Sequence, residues 1–151
     1  MPLLIRIASP DDSEMLLKLM RRMQEEDPWS EPFDETLVGV SLAQLLKNPI
    51  YGLAYLALDA TDAIGYLIVC FDFSLEYQGK GAWVDELFVE RSYRGQGIAT
   101  RLLKTAEKSA VDHGAKYLHL EVSHGNPAIE LYRRRGFVDH QRYLMTKRLG
   151  T

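Results

Sequence analysis

The sequence predicts a mixed α/β domain, a mostly antiparallel central sheet flanked by helices, and three observations predict it. A short apolar strand pattern opens the chain and gives way to two helical patterns. Three strand patterns then follow in succession with turn signals between them, as in an antiparallel meander. Finally, a glycine-bearing loop leads from the third of these into an amphipathic helix and another strand, which reads as one parallel crossover.

Each element has a local cause. Leu3 to Ala8 reads as the opening strand. Ser9 or Asp11 can cap the helix that follows, with Pro10 in its first turn. Met15, Leu16, Leu19, Met20 and Met23 give this helix one apolar face, and it ends near Glu26, before Pro28. After a loop from Asp27 to Pro32, a second helix is expected from about Asp34 to Lys47. Leu37, Val38, Val40, Leu45 and Leu46 are expected inward, and Asn48-Pro49 stops the helix.

Tyr51 to Leu58 and Ala63 to Phe73 read as two strands joined by a tight hairpin at Asp59-Ala60-Thr61-Asp62. Gly79-Lys80-Gly81 marks the next turn, and Ala82 to Val89 the fourth strand. A helix then runs to about His113, with Ile98, Leu102, Leu103, Ala106 and Ala110 on one side and Gly114 ending it. Tyr117 to Val122 is the fifth strand. Asn126 to Arg135 is a short helix, and Phe137-Val138 with Tyr143 to Leu149 form a closing hairpin. No repeat, linker or low-complexity tract interrupts this order, and one domain over residues 1–151 is expected.

Bulk properties narrow the function. Hydrophobic residues make up 46% and charged residues 26%, ordinary values for a globular protein, and no apolar run has the length of a membrane span. No secretory leader precedes the first strand, and the single cysteine, Cys70, permits no internal disulfide, so a cytoplasmic location is expected. The net charge of −3 is unevenly divided: residues 1–90 carry −10 and residues 91–151 carry +7. A basic half suits an anionic cofactor and an acidic half a cationic amine. The acidic total argues against nucleic acid. Arg133-Arg134-Arg135 closes a helix, where cations offset the dipole.

The most informative stretch is Arg94-Gly95-Gln96-Gly97-Ile98-Ala99. It follows an apolar strand and opens a helix. Its glycines permit close backbone approach, and exposed N–H groups at a helix N-terminus make a phosphate cradle over residues 94–100. Arg94 adds a charged fork suited to phosphate. A P-loop is excluded because no Lys-Ser or Lys-Thr follows the glycines. A dinucleotide fingerprint is disfavoured because Thr100 holds the third glycine's place and three strands come first.

The residues Arg94, Gly97 and Ala99 match Q/R-x-x-G-x-G/A, the phosphate signature of the GNAT family of acyl-CoA-dependent N-acyltransferases. The chain resembles that family further in Val84-Asp85-Glu86-Leu87-Phe88-Val89, and in Asn126-Pro127-Ala128 through Tyr132 to Gly136-Phe137, which fits N-x-x-A-x-x-x-Y-x-x-x-G-F. The resemblance covers most of residues 3–149. It implies an acyl-CoA N-acyltransferase fold whose parallel strands 4 and 5 splay apart, with a bulge in strand 4 that opens a slot for the pantetheine arm. It also implies acetyl-CoA as cosubstrate, held by Leu87, Phe88 and Val89, by Arg94, Gly95, Gln96, Gly97, Ile98, Ala99 and Thr100, and by Asn126 and Tyr132.

Acyl transfer to an amine needs a neutral nucleophile, donors for the oxyanion and a proton for the departing thiolate. The resemblance places the acid at Tyr132, whose phenol stays protonated at neutral pH. Asp85 and Glu86 are adjacent on a strand and point to opposite faces, so one can face the cleft. Glu86 is favoured as the base. A backbone N–H near Leu87 or Val89 would serve the oxyanion. Asn126 is at once a cofactor contact and a helix N-cap. Cys70 lies in an apolar strand and reads as a buried, inert thiol, so direct transfer in a ternary complex is expected. His119 and Glu121 share a strand face and His124 follows, but their spacing is poor for a metal, and none is expected.

The family's acceptor pocket falls on Gln24 to Trp29 and on the loop from Phe73 to Gly81, with Tyr77. Acid and aromatic rings there suit a cationic amine. A small-molecule amine is expected, and a polyamine, an aminoglycoside-like amine and a peptide amine stay open. The competing readings are a protein or peptide amine acetyltransferase and a non-catalytic acyl-CoA sensor. The family often forms dimers, and the C-terminal strand would offer an edge for pairing.

Overall fold

A computed structural model describes residues 2–150. It divides into two compact units, the first reaching Glu121 and the second starting at Val122. The first carries a five-stranded sheet in the order β1-β2-β3-β4-β5: Leu3–Ile7, Gly52–Asp59, Asp62–Ser74, Gly79–Val89 and Leu118–Leu120. The first four strands pair antiparallel, and β4 runs parallel to β5. This is the mixed sheet that the alternating patterns imply.

Helices α1 (Ser13–Glu26) and α2 (Glu35–Lys47) cover one face of the sheet, and α3 (Ile98–Asp112) covers the other. Two adjacent residues of β2 show the division. Leu56 is fully buried against Leu16, Leu19 and Met20 of α1. Tyr55 points the opposite way and donates its hydroxyl to Ser109 Oγ of α3 at 2.7 Å. On the α3 side, Ile98, Leu102, Leu103 and Ala106 are buried as the helical spacing predicts.

The helix starts follow local chemistry. Ser9 precedes a 3₁₀ turn, Pro10–Asp12, that leads into α1. Asp12 accepts from the Ser9 N–H at 2.8 Å and from both terminal nitrogens of Arg6 at 2.8 Å. The Arg6 guanidinium holds the Asp12 carboxyl down to about 2. Asp34 caps α2 by accepting from Leu37 N at 3.1 Å.

Several expectations need correction. In α2 the inward stripe is Val38, Leu42, Leu45 and Leu46, whereas Leu37 and Val40 are exposed. The 3.6-residue period selects the set starting at Val38. The turn before β4 falls at residues 75–78, ahead of Gly79-Lys80-Gly81, with Gln78 in the left-handed conformation (φ 63°). Gly81 sits inside the strand instead, where a Cβ would lie 2.6 Å from Asp72 Oδ1. Strand β5 is shorter than 117–122 because only three of its residues pair with β4.

The second unit holds α4 (Ala128–Arg134), shorter than expected at both ends, and Gly136 (φ 92°) ends it. The closing hairpin does not form: among the described residues none from 137 onward is a strand. A turn is present, with Gln141 at φ 53° donating its N–H to Asp139 Oδ1 at 2.7 Å. A two-stranded hairpin is marginal without a third strand or a packed helix, which accounts for the missing ladder. The strand expected to offer a pairing edge is therefore absent, and the sheet's edges are β1 and β5. Among the described residues no helix is long and apolar enough to cross a membrane.

Candidate active site

The site is built on an irregularity in β4. Val84 pairs with Val69 of β3, but Glu86 pairs with Ile68, so Asp85 has no partner and forms a β-bulge. Paired residues share a face. Val69 and Val84 look toward α3, while Ile68, Tyr66 and Phe88 join the core under α1. One extra residue thus turns Glu86 onto the α1 face although Val84, two positions earlier, looks the other way.

The bulge also ends the pairing with β5. Parallel contacts stop at Val84↔Leu120, immediately before Asp85. From Asp85 to Val89 the β5-facing edge of β4 has no partner strand among the described residues. The strands splay where the resemblance places the pantetheine slot.

Asp85 is exposed and Glu86 is buried, 8% exposed. Glu86 Oε1 accepts a hydrogen bond from Tyr66 Oη at 2.7 Å. Burial raises the Glu86 carboxyl, the Tyr66 hydroxyl opposes the rise, and the Asp85 charge adds to it, bringing the group to about 7. A carboxyl near neutrality can take up and release a proton at physiological pH, as a general base must. Burial pushes the Cys70 thiol the other way from reactivity, to about 11.

The cradle follows β4. Gly95 (φ 78°) and Gly97 (φ 79°) occupy the left-handed region, and a Cβ at either would meet nothing within 4 Å. Gly97 is the N-cap of α3, with no side chain capping it. The first-turn N–H groups of Ile98, Ala99 and Thr100 have no intrahelical acceptor. An open, uncapped helix start lined by glycine backbone fits a phosphate group.

Arg94 has a different setting from a free fork. Its Nε donates to Val89 O at 2.8 Å, and its terminal nitrogens bind the Glu26 carboxylate at the end of α1. Arg91 binds the same carboxylate at 2.9 Å, and the two arginines hold it below its usual range. Arg22 and Glu90 form a second ion pair nearby. Arg22, Glu25, Glu26, Phe88, Glu90 and Arg91 line a cleft of about 350 Å³. Within the region expected to meet the acceptor, Glu26 is thus paired with basic groups, and Trp29 packs edge-on against Phe33. Tyr77 sits in a ring cluster with Tyr117 and His119, and His119 also lies against Trp83. Among the described residues no group of three His, Cys, Asp or Glu could hold a metal ion.

The sequence profile of the acetyltransferase (GNAT) family matches residues 14–137. The chain belongs to this family. It is a GNAT N-acetyltransferase, and its five-stranded mixed sheet is the fold that this membership carries. Thialysine N-ε-acetyltransferase of Bos taurus is 25% identical over 144 residues, covering 90% of this chain and 84% of its own. An integron cassette protein from the mobile metagenome of Cole Harbour salt marsh superposes with a TM-score of 0.84 at 28% identity, covering 97% of this chain and 91% of that one. A predicted acetyltransferase of Clostridium acetobutylicum, solved with acetyl-CoA, gives 0.82 at 20% identity, with 96% of each chain covered.

The remaining two residues singled out in this GNAT sequence lie in the second unit. Asn126 Oδ1 accepts from Ala128 N at 2.9 Å, which caps α4. Tyr132 stands on α4 with its ring edge-on to Phe137 at 6.0 Å, and its carbonyl accepts the Phe137 N–H. Sequence reasoning missed Tyr66. Strand alternation puts it on the same face as Ile68, but only pairing with β4 across the bulge reveals that its hydroxyl meets Glu86.

Proposed function

We propose that this GNAT acetyltransferase moves the acetyl group of acetyl-CoA to the primary amine of a small cationic molecule, by direct attack in a ternary complex. The observation that carries the reading is the buried Glu86 carboxyl, poised near neutrality beside a β4 edge that runs unpaired toward a glycine cradle.

Acetyl-CoA, when bound, supplies the activated acetyl thioester. The N–H groups of residues 95–100 would hold its phosphates, with Arg94 fixing the loop rather than serving as the main anion contact. Backbone groups of Leu87, Phe88 and Val89 would bond the pantetheine amides, and an N–H on this edge would serve the oxyanion. Asn126 would contact the cofactor while capping α4. Glu86 takes the proton of the incoming amine, and Asp85 keeps a negative field at the mouth. Tyr132 gives its phenol proton to the departing thiolate. Cys70, raised to about 11, is a poor nucleophile, which supports direct transfer. In this reading, residues 1–151 act as one domain.

The acidic first ninety residues favour a cationic acceptor. The cattle relative, named for the ε-nitrogen of thialysine, supports a small one. The test is a turnover screen with thialysine, a polyamine, an aminoglycoside and a short peptide, reading CoA release. Turnover confined to small amines is expected. Turnover confined to the peptide would replace the acceptor class, and acetyl-CoA binding without turnover would mark a sensor. With the accepted amine, Tyr132→Phe is expected to lower kcat by about 100-fold, the scale of one lost proton donor, with acetyl-CoA affinity within twofold by calorimetry. Unchanged kcat would remove the acid role.

A further inference from the structure

Glu86 is buried, yet a base must be comfortable both charged and neutral. Charged, it needs a donor. Protonated, its new O–H needs an acceptor, or a buried polar group is left unmet. The surroundings of this carboxyl contain both. Tyr66 Oη lies 2.7 Å from Glu86 Oε1 and 3.2 Å from Met23 Sδ of α1. The Tyr66 side chain is fully buried, so no solvent competes for its hydroxyl.

We propose that Tyr66 is a positioning residue whose hydroxyl reverses direction with the protonation of Glu86, donating to the carboxylate when Glu86 is charged and to Met23 Sδ when Glu86 carries a proton on Oε1. This rests on the reading of Glu86 as the base. The proton balance is simple. The amine N–H bond breaks and the Glu86 O–H bond forms. The Glu86 O–H donates to Tyr66 Oη, and the tyrosine keeps its own proton while rotating it toward sulfur, a weak acceptor. After product leaves, Glu86 returns the proton to solvent and the hydroxyl rotates back.

The groups facing Glu86 define what else could move its titration. On β3 they are Tyr66 and Cys70, the latter kept neutral by burial. On its own strand Asp85 is the only charge that raises it. From α1 the neighbour is the uncharged Met23, since Arg22 is paired with Glu90 and Glu26 with Arg91 and Arg94. The two hydroxyl partners therefore have opposite effects. Loss of the donor disfavours the charged form, and loss of the sulfur acceptor disfavours the neutral form.

The experiment is a carbon-detected NMR titration of glutamate-labelled protein, with the Glu86 carboxyl assigned through Glu86→Gln, run beside a pH profile of kcat/KM. Tyr66→Phe is expected to raise the carboxyl midpoint by about one to two pH units, the scale of a hydrogen bond to a charged group. Met23→Leu is expected to lower it by a few tenths of a unit, roughly the scale of a weak sulfur acceptor. A midpoint unchanged in Tyr66→Phe, or unchanged or raised in Met23→Leu, would overturn the proposal. If the midpoints move as expected while the kcat/KM limb stays in place, the hydroxyl reversal stands and the base role of Glu86 falls. Because Met23→Leu conserves volume, it remains informative even if Tyr66→Phe folds poorly.

Discussion

Gly97→Glu is expected to abolish measurable acetyl-CoA binding, a loss of at least about 100-fold in affinity, where each tenfold step is ~1.4 kcal/mol. Two physical effects combine. An L-residue held at φ 79° costs ~1–2 kcal/mol, so the loop relaxes away from the conformation that presents its N–H groups. The added carboxylate then occupies the positive end of α3, where the phosphates would lie, and repels them. Folding should survive, because the space beside Gly97 is open and a carboxylate at a helix start is itself stabilising. Gly97→Ala separates the two effects and should cost only about tenfold, the strain alone. Calorimetric titration with acetyl-CoA, paired with a thermal melt, checks both variants. Wild-type affinity in a folded Gly97→Glu protein would remove residues 94–100 as the cofactor site.

Glu86→Gln is expected to lower kcat/KM by about 100- to 1,000-fold, within the range of one general base, while acetyl-CoA affinity holds. The pH profile carries the sharper signature. Glu86 acts as a base only when ionised, so wild-type kcat/KM should rise with pH and level off above about 7. In Glu86→Gln that limb should vanish. Stability should move the opposite way. The folded protein holds the Glu86 proton up to about 7, whereas the unfolded chain releases it near 4.5. Between these values the native state binds more protons, and stability falls as pH rises through the window. Chemical denaturation from pH 4 to 8 should show a flatter dependence in Glu86→Gln. A Glu86→Gln enzyme with the wild-type pH limb would show that the ionisation belongs to another group.

Much of this was legible in the residues. Turn chemistry at 59–62, the glycine pair at 95 and 97, and the apolar spacing of α1 and α3 are short-range signals, and they located those elements. The bulge expected from family resemblance falls on Asp85, and it interrupts the simple alternation that would put adjacent Asp85 and Glu86 on opposite faces. The failures have long-range causes. Leu37 and Val40 lie on an apolar helix with two possible stripes, and only packing against the sheet selects one. The C-terminal alternation has strand propensity without a ladder to join. The pairing of Arg94 with Glu26 of α1 joins residues 68 sequence steps apart, too far for a local pattern to encode. The Tyr66 partnership needs the register of two strands, which no local pattern encodes.

The bulge in β4 has a consequence for how this strand tolerates change. It behaves as two phrases in different reading frames, Gly79 to Val84 and Glu86 to Val89, joined by a single off-beat residue. Each phrase keeps its own inside and outside, so substitutions within one are judged by that face alone. Asp85 belongs to neither. Its charge helps to raise Glu86, and its presence as a counted residue sets the register change. A chain lacking it would keep both hydrophobic faces, yet it would lose the bulge next to which the pairing of β4 with β5 stops. The strand would then be better formed and have nothing to open.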